Sequence, residues 1–170
     1  MHDTDTILEG AARDAALRPL VERFGIEPQT VDSYTLRQAG RKYVTIDTGS
    51  EPPTSLRIES RGIPFLRVNL PYPKPTTGAI MLFGHLATRN VVDLTHDEAR
   101  RYVRREDLGM DGASSEATLT KPGYVIVRWG SVTLGLALLL EDGRLKSLYP
   151  GRWSPNPSNA DAATPGGIGT

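Results

Sequence analysis

From Gly123 to Trp153 the chain reads GYVIVRWGSVTLGLALLLEDGRLKSLYPGRW. Tyr124–Trp129 and Val132–Leu140 are rich in side chains that fill a pleated, half-buried surface, and Gly130-Ser131 supplies a turn between them. Asp142-Gly143 is a strong hairpin signal, because tight hairpin turns need residues that tolerate a positive φ. Leu145, Leu148 and Tyr149 complete the last strand, and Tyr-Pro-Gly-Arg-Trp ends it, so a small β-module is expected. Its charge is lopsided: Lys121 just before it, then Arg128, Arg144, Lys146 and Arg152, against only Glu141 and Asp142. A cationic β-surface edged by Tyr149 and Trp153 suits a polyanion.

Working upstream, VVDL at Val91–Leu94 reads as a short strand. Thr95 with Glu98 three residues later is a capping box, in which hydroxyl and carboxylate satisfy amides that a helix start leaves orphaned. A helix is expected from His96 to Arg104, with Ala99, Tyr102 and Val103 as its apolar face; Arg100, Arg101, Arg104 and Arg105 share its outer surface with Asp97, Glu98, Glu106 and Asp107. Gly109 to Thr120 has little to bury and reads as a long loop.

Further upstream, Leu17, Leu20, Val21 and Phe24 fall at helical spacing before Gly25, with Ile7, Leu8, Ala11 and Ala15 on a separate helix or a continuation of the same one. Tyr34–Leu36 and Tyr43–Ile46 read as a hairpin, and Leu56, Ile58 and Ile63–Val68 as another that leaves through PYPKP, which is expected to end sheet pairing. Thr77–Ala87 has helical spacing, with Asn90 placed to close that helix. After Ser154 there is too little apolar side chain to offset ordering entropy, so 154–170 is expected to be a disordered tail.

The 170 residues carry twenty basic and twenty acidic side chains, so only their distribution speaks for a partner. Met1–Val31 has three basic and six acidic residues, Asp32–Lys74 seven and four, and Lys121–Trp153 five and two. The absence of cysteine excludes disulfides, thiolate zinc sites and a cysteine nucleophile. His2, His85 and His96 are too scattered for a metal cluster, no local signature of a catalytic triad or nucleotide-cradling loop is present, and no metal, cofactor or catalytic residue is assigned. The acidic N-terminus lacks the features of a secretory signal, and the longest uncharged apolar run, Val132–Leu140, is too short to span a bilayer. A soluble cytoplasmic protein is expected.

Several residues act together as a family signature. These are Glu98-Ala99, Tyr102 with Glu106-Asp107-Leu108, Gly123–Val127, Leu134-Gly135, Gly143–Lys146 and Tyr149-Pro150. The segment from Asn90 to Trp153 thereby resembles a PUA-like domain, an RNA-binding fold. Upstream, ERFGIEP at Glu22–Pro28 and the PTT near Thr76 resemble the region that precedes this domain in some Sun-family RNA cytosine-5 methyltransferases and related ribosome-biogenesis factors. Cytosine-5 transfer needs a thiolate that adds to the pyrimidine ring, and this chain has none.

The resemblance implies an α+β protein: a small N-terminal α/β domain over 6–88, then a PUA-like β-barrel with a capping helix over 90–153. It implies non-catalytic RNA binding, of structured rRNA or tRNA, alongside an RNA-modifying enzyme or ribosome-assembly factor. The alternative is a protein-interaction module or accessory subunit that touches little RNA. Lys121, Arg128, Arg144, Lys146 and Arg152 are the candidate phosphate contacts, joined by Lys74 in the stiff stretch between the halves. Trp153 and Tyr149 are candidates for stacking on a base, and Tyr149 reads equally as a buried corner residue. At Leu134-Gly135 a bulge or a close approach is expected.

Overall fold

A strand of two residues, β1 (Thr6–Ile7), opens the computed structural model, which describes residues 6–50, 61–109 and 119–155. Ile7 is therefore strand rather than helix, and Leu8 lies in the short link before the helix. Ile7 pairs with Arg37, and the Leu8 amide donates to the Leu36 carbonyl at 2.8 Å, a neighbour that local periodicity cannot reveal. The helix begins at Gly10 as α1 (Gly10–Arg18) and widens at once into a π turn over Pro19–Arg23. Pro19 has no amide hydrogen for the carbonyl four residues back, which favours widening at that seam. The two candidate helices are one continuous rod that buries Leu17, Leu20 and Phe24.

The first sheet runs β1, β2 (Thr35–Ala39), β3 (Tyr43–Asp47), β4 (Ile63–Arg67) and β5 (Lys74–Pro75), each antiparallel to the next. PYPKP does not end the pairing as expected. Lys74 and Pro75 return as an edge strand opposite Arg67 and Leu66, and the next amide, Thr76, donates to the Phe65 carbonyl at 2.9 Å. A proline is tolerated there because an edge strand has one side with no ladder to supply. Leu56 and Ile58 lie outside the described residues, as do most of the long loop and the tail beyond 155.

Inside this sheet Arg37 Nε donates to Asp47 Oδ2 at 2.8 Å, with the two side chains only 7% and 16% exposed. Burial pulls the Asp47 pKa upward, but the bonds from Arg37 and the Gly49 amide outweigh it and hold the carboxyl below its ordinary range.

Helix α2 (Thr77–Phe83) is capped by Thr76, whose hydroxyl accepts from the Ala79 amide, and ends in a 3₁₀ turn at Gly84–Leu86. Asn90 does not close it. At φ 53° and buried, Asn90 starts the second sheet, its carbonyl accepting from the Ile126 amide at 2.8 Å. That sheet has the order β6 (Val91–Asp93), β7 (Gly123–Trp129), β8 (Val132–Leu139) and β9 (Leu145–Ser147). β6 runs parallel to β7 and the rest are antiparallel. Helix α3 (His96–Val103) carries both bonds of the Thr95–Glu98 capping box.

The described strands of this region form a four-stranded sheet with each face covered differently. Val125, Val127 and Ala137 pack with Ala99 and Tyr102 of α3. Ile126 and Leu136 join instead the core of Leu20, Phe24, Phe65, Ile80 and Phe83. Two-sided burial explains why GYVIVRW and VTLGLALL are nearly unbroken apolar runs. The bulge expected at Leu134-Gly135 is present: Val127 faces Gly135 and Arg128 faces Thr133, leaving Leu134 as the extra residue. Gly135 has φ 145°, and a Cβ there would lie 2.8 Å from the Tyr102 hydroxyl. That hydroxyl donates to the Leu136 carbonyl at 2.7 Å, and Ser147 Oγ donates to the Tyr102 carbonyl at 2.8 Å, so helix and sheet lock through the gap the glycine leaves.

Candidate nucleic-acid interface

The two halves of the chain meet along the start of β7, and side-chain donors aimed at backbone carbonyls join them. Arg23 Nε donates to the Tyr124 carbonyl at 2.7 Å and Nη2 to the Lys121 carbonyl at 2.8 Å. Asn90 Nδ2 donates to the Arg23 carbonyl at 2.6 Å, and Arg89 Nη2 to that of Val21 at 2.8 Å. Burial lowers the Arg23 pKa from its ordinary value.

Beside these bonds, Lys74 Nζ lies 5.6 Å from the centroid of the Tyr124 ring. Tyr124 is registered opposite Leu138, and Leu138 opposite Lys146, so the three side chains share one sheet face. Lys146 is exposed between buried Leu145 and Ser147, and therefore points away from α3. Arg67, opposite Lys74, reaches the amide oxygen of Asn69 at 3.0 Å. The arrangement is a shallow strip with Tyr124 and Leu138 at its middle and ammonium groups on either side, spanning two interstrand spacings of about 5 Å each.

The other sequence-predicted residues do not all gather here. Lys121 is exposed next to the strip, its carbonyl held by Arg23. Arg128 is corrected from a phosphate contact to an internal tie: Nη2 donates to the carbonyls of Gly84 and Ala87 at 2.7 and 2.9 Å. Its place on β7 alternates with Val127, so it leans on the turn that follows α2 and is only partly exposed. Arg144 is exposed but paired: Nε bonds Asp142 at 2.8 Å and Nη1 lies 3.7 Å from Asp107. The hydrogen bond to Asp142 raises the Arg144 pKa, and the bonds from Arg144 lower that of Asp142. Two acids beside one exposed guanidinium reduce the positive field at that corner.

Tyr149, Arg152 and Trp153 lie on the α3 side. Tyr149 is half-buried, edge-on to Tyr102 at 5.6 Å and to Trp153 at 6.3 Å, which fits the corner reading. Trp153 keeps 45% of its surface exposed, with the Arg152 guanidinium 5.6 Å from its ring centroid. The sequence reading missed Arg23, Arg67 and Tyr124. Arg67 was legible as an outward position on β4, whereas the Arg23 contact spans 101 residues and leaves no local signal.

Two further features bear on partners. Met81, Leu82 and Leu86 are 42, 45 and 38% exposed on an uncharged segment, and Trp129 and Val132 are exposed at the tip of the β7–β8 hairpin beside His96. Among the described residues no helix is long and apolar enough to cross a membrane, and no group of His, Asp and Glu could hold a metal ion.

Comparison with known proteins agrees with this architecture. Residues 89–154 match the family model of the methyltransferase RsmF PUA domain. Among solved structures, a conserved PUA domain protein from Thermoplasma acidophilum superposes with a TM-score of 0.51 at 14% identity, over 79% of this chain and 79% of that one, a likeness of fold. No curated protein matches the chain. PUA domains are in general RNA-binding and not themselves catalytic. The match from Arg89 to Ser154 and the shared fold together make this an α+β chain carrying a PUA-like domain that resembles the C-terminal region of Sun-family RNA methyltransferases.

Proposed function

We propose that this chain binds structured RNA, of the rRNA or tRNA kind, along the strip at the junction of its halves, and performs no chemistry of its own. One observation carries the reading: Lys74, Arg67 and Arg23 gather around the Tyr124 ring, with Arg23 held by carbonyls and Arg67 by an amide oxygen, so a phosphate would meet several cations beside one aromatic surface. Lys74, Lys121, Lys146 and Arg67 are the proposed phosphate contacts. Arg152 and Trp153, on the other side of the sheet, are a separate place where one unpaired base could stack. The family resemblance supports a role in ribosome biogenesis or RNA modification.

The test is a titration of unfractionated tRNA and of fragmented rRNA at several salt concentrations, comparing wild type with Lys74→Glu/Lys146→Glu. The double variant is expected to lose about a hundredfold in affinity and to flatten the salt dependence by about two phosphate contacts, with little change in thermal transition. Wild-type affinity in the double variant would remove the strip from consideration.

A second reading, a protein-interaction module or accessory subunit of an RNA-modifying enzyme or ribosome-assembly complex, is favoured by the uncharged face of Met81, Leu82 and Leu86. Co-purification that is lost in Met81→Glu but retained in Lys74→Glu/Lys146→Glu would support it.

A further inference from the structure

Arg23 makes no use of a carboxylate among the described residues, yet its guanidinium is spread over the whole entry to β7. Nε serves the Tyr124 carbonyl at 2.7 Å, Nη2 the Lys121 carbonyl at 2.8 Å, and Nη1 lies 3.5 Å from Thr120 Oγ1. The loop closes through Asn90, which donates from Nδ2 to the Arg23 carbonyl at 2.6 Å and accepts on Oδ1 from the Thr120 amide at 3.1 Å. Gly123 lets the guanidinium lie against the strand, since a Cβ there would stand 3.3 Å from Nη2.

We propose that Arg23 is a positioning residue for RNA binding, acting through the backbone of Lys121 and Tyr124 rather than by touching phosphate; this rests on the function proposed above. Its effect reaches the two side chains that flank those carbonyls: the exposed ammonium of Lys121 and the ring of Tyr124, over which Lys74 is placed. A planar fork can serve both carbonyls at once, whereas a lysine carries the same charge on a single point and cannot. Geometry and charge are therefore separable by substitution.

The experiment measures binding of unfractionated tRNA, well below the thermal transition, for wild type, Arg23→Lys, Lys121→Gln and the two combined. Arg23→Lys keeps the charge and is expected to lose about tenfold, the scale of one or two charged hydrogen bonds. Its salt slope should match wild type, whereas Lys121→Gln should flatten the slope by about one contact. The combined variant should lose less than the product of the two single losses, because Lys121 is one of the groups through which Arg23 acts. If Arg23→Lys proves unstable, Thr120→Val at an exposed position opens the same ring more gently and is expected to lose about threefold. Wild-type affinity in Arg23→Lys and Thr120→Val, or strictly multiplicative losses, would overturn the positioning role while Lys74→Glu/Lys146→Glu still abolishes binding. If that double variant also binds as wild type, the RNA reading of the strip itself has failed.

Discussion

The two faces of the second sheet treat positive charge in opposite ways. On the α3 side, Arg101 bonds Glu106 at 3.0 Å and Arg144 is shared between Asp142 and Asp107. On the junction side, Arg23, Arg89 and Arg128 give their guanidiniums to backbone carbonyls and Arg67 gives its own to an amide. A carboxylate cancels a cation's field; a carbonyl dipole holds the cation in place and leaves most of that field intact. A chain with no net charge can thus present a cationic strip, because around the second sheet the carboxylates pair with arginines near α3 and the arginines of the junction are held by carbonyls.

Breaking the helix face should give the largest effect. Gly135→Val combines a φ of 145° with a collision against the Tyr102 hydroxyl 2.8 Å away, and is expected to cost about 4 kcal/mol, seen as a fall of roughly 10 °C in Tm. A melt within 2 °C of wild type, on the order of half a kcal/mol, would show that this approach is soft. Arg128→Met tests the junction face instead. It removes two bonds and leaves the Gly84 and Ala87 carbonyls without that donor, at about 2 kcal/mol. The transition should remain single, since Ile126 and Leu136 belong to the core of the N-terminal half; two separated transitions would show that the halves fold independently.

The charge comparison is sharpened by a matched pair on and beside β9. Lys146→Gln should weaken tRNA binding by about fivefold, while Arg144→Gln should change it by less than about twofold, because Asp142 and Asp107 already neutralise that guanidinium. Equal losses would erase the distinction between the faces. The smallest effect concerns pH. Asp47 has its pKa depressed by Arg37, so the folded state holds this carboxylate ionised more readily than the unfolded chain does. The associated stability is present above the unfolded carboxylate pKa and is lost as pH falls through the folded one. Acid melts of wild type against Asp47→Asn should therefore differ in slope only below the ordinary carboxylate range, and parallel curves throughout would contradict the assignment.

The residues that were legible from sequence share a property: their partners lie close along the chain. The Thr95–Glu98 box, the Asp142-Gly143 turn, the Tyr34–Ile46 hairpin and the Leu134-Gly135 bulge all follow from neighbours within a few residues. Misread residues had remote partners. Ile7 took strand geometry from β2, and Asn90 became a hub for Arg23 and Thr120. The candidate site divides in the same way. Lys74, Lys121 and Lys146 were visible as exposed cations around a β-module, but composition could not say that Arg128 points inward or that Arg144 meets Asp107.

By itself, the sequence determined the strands and hairpin turn of the β-module, the capped helix before it, the absence of a thiol and the family resemblance, because these depend on side-chain type and short-range spacing. Only tertiary structure decided which cations keep their charge. That depends on whether the acceptor folded against each one is a carboxylate or a carbonyl, and for Arg23 the answer lies 101 residues away along the chain.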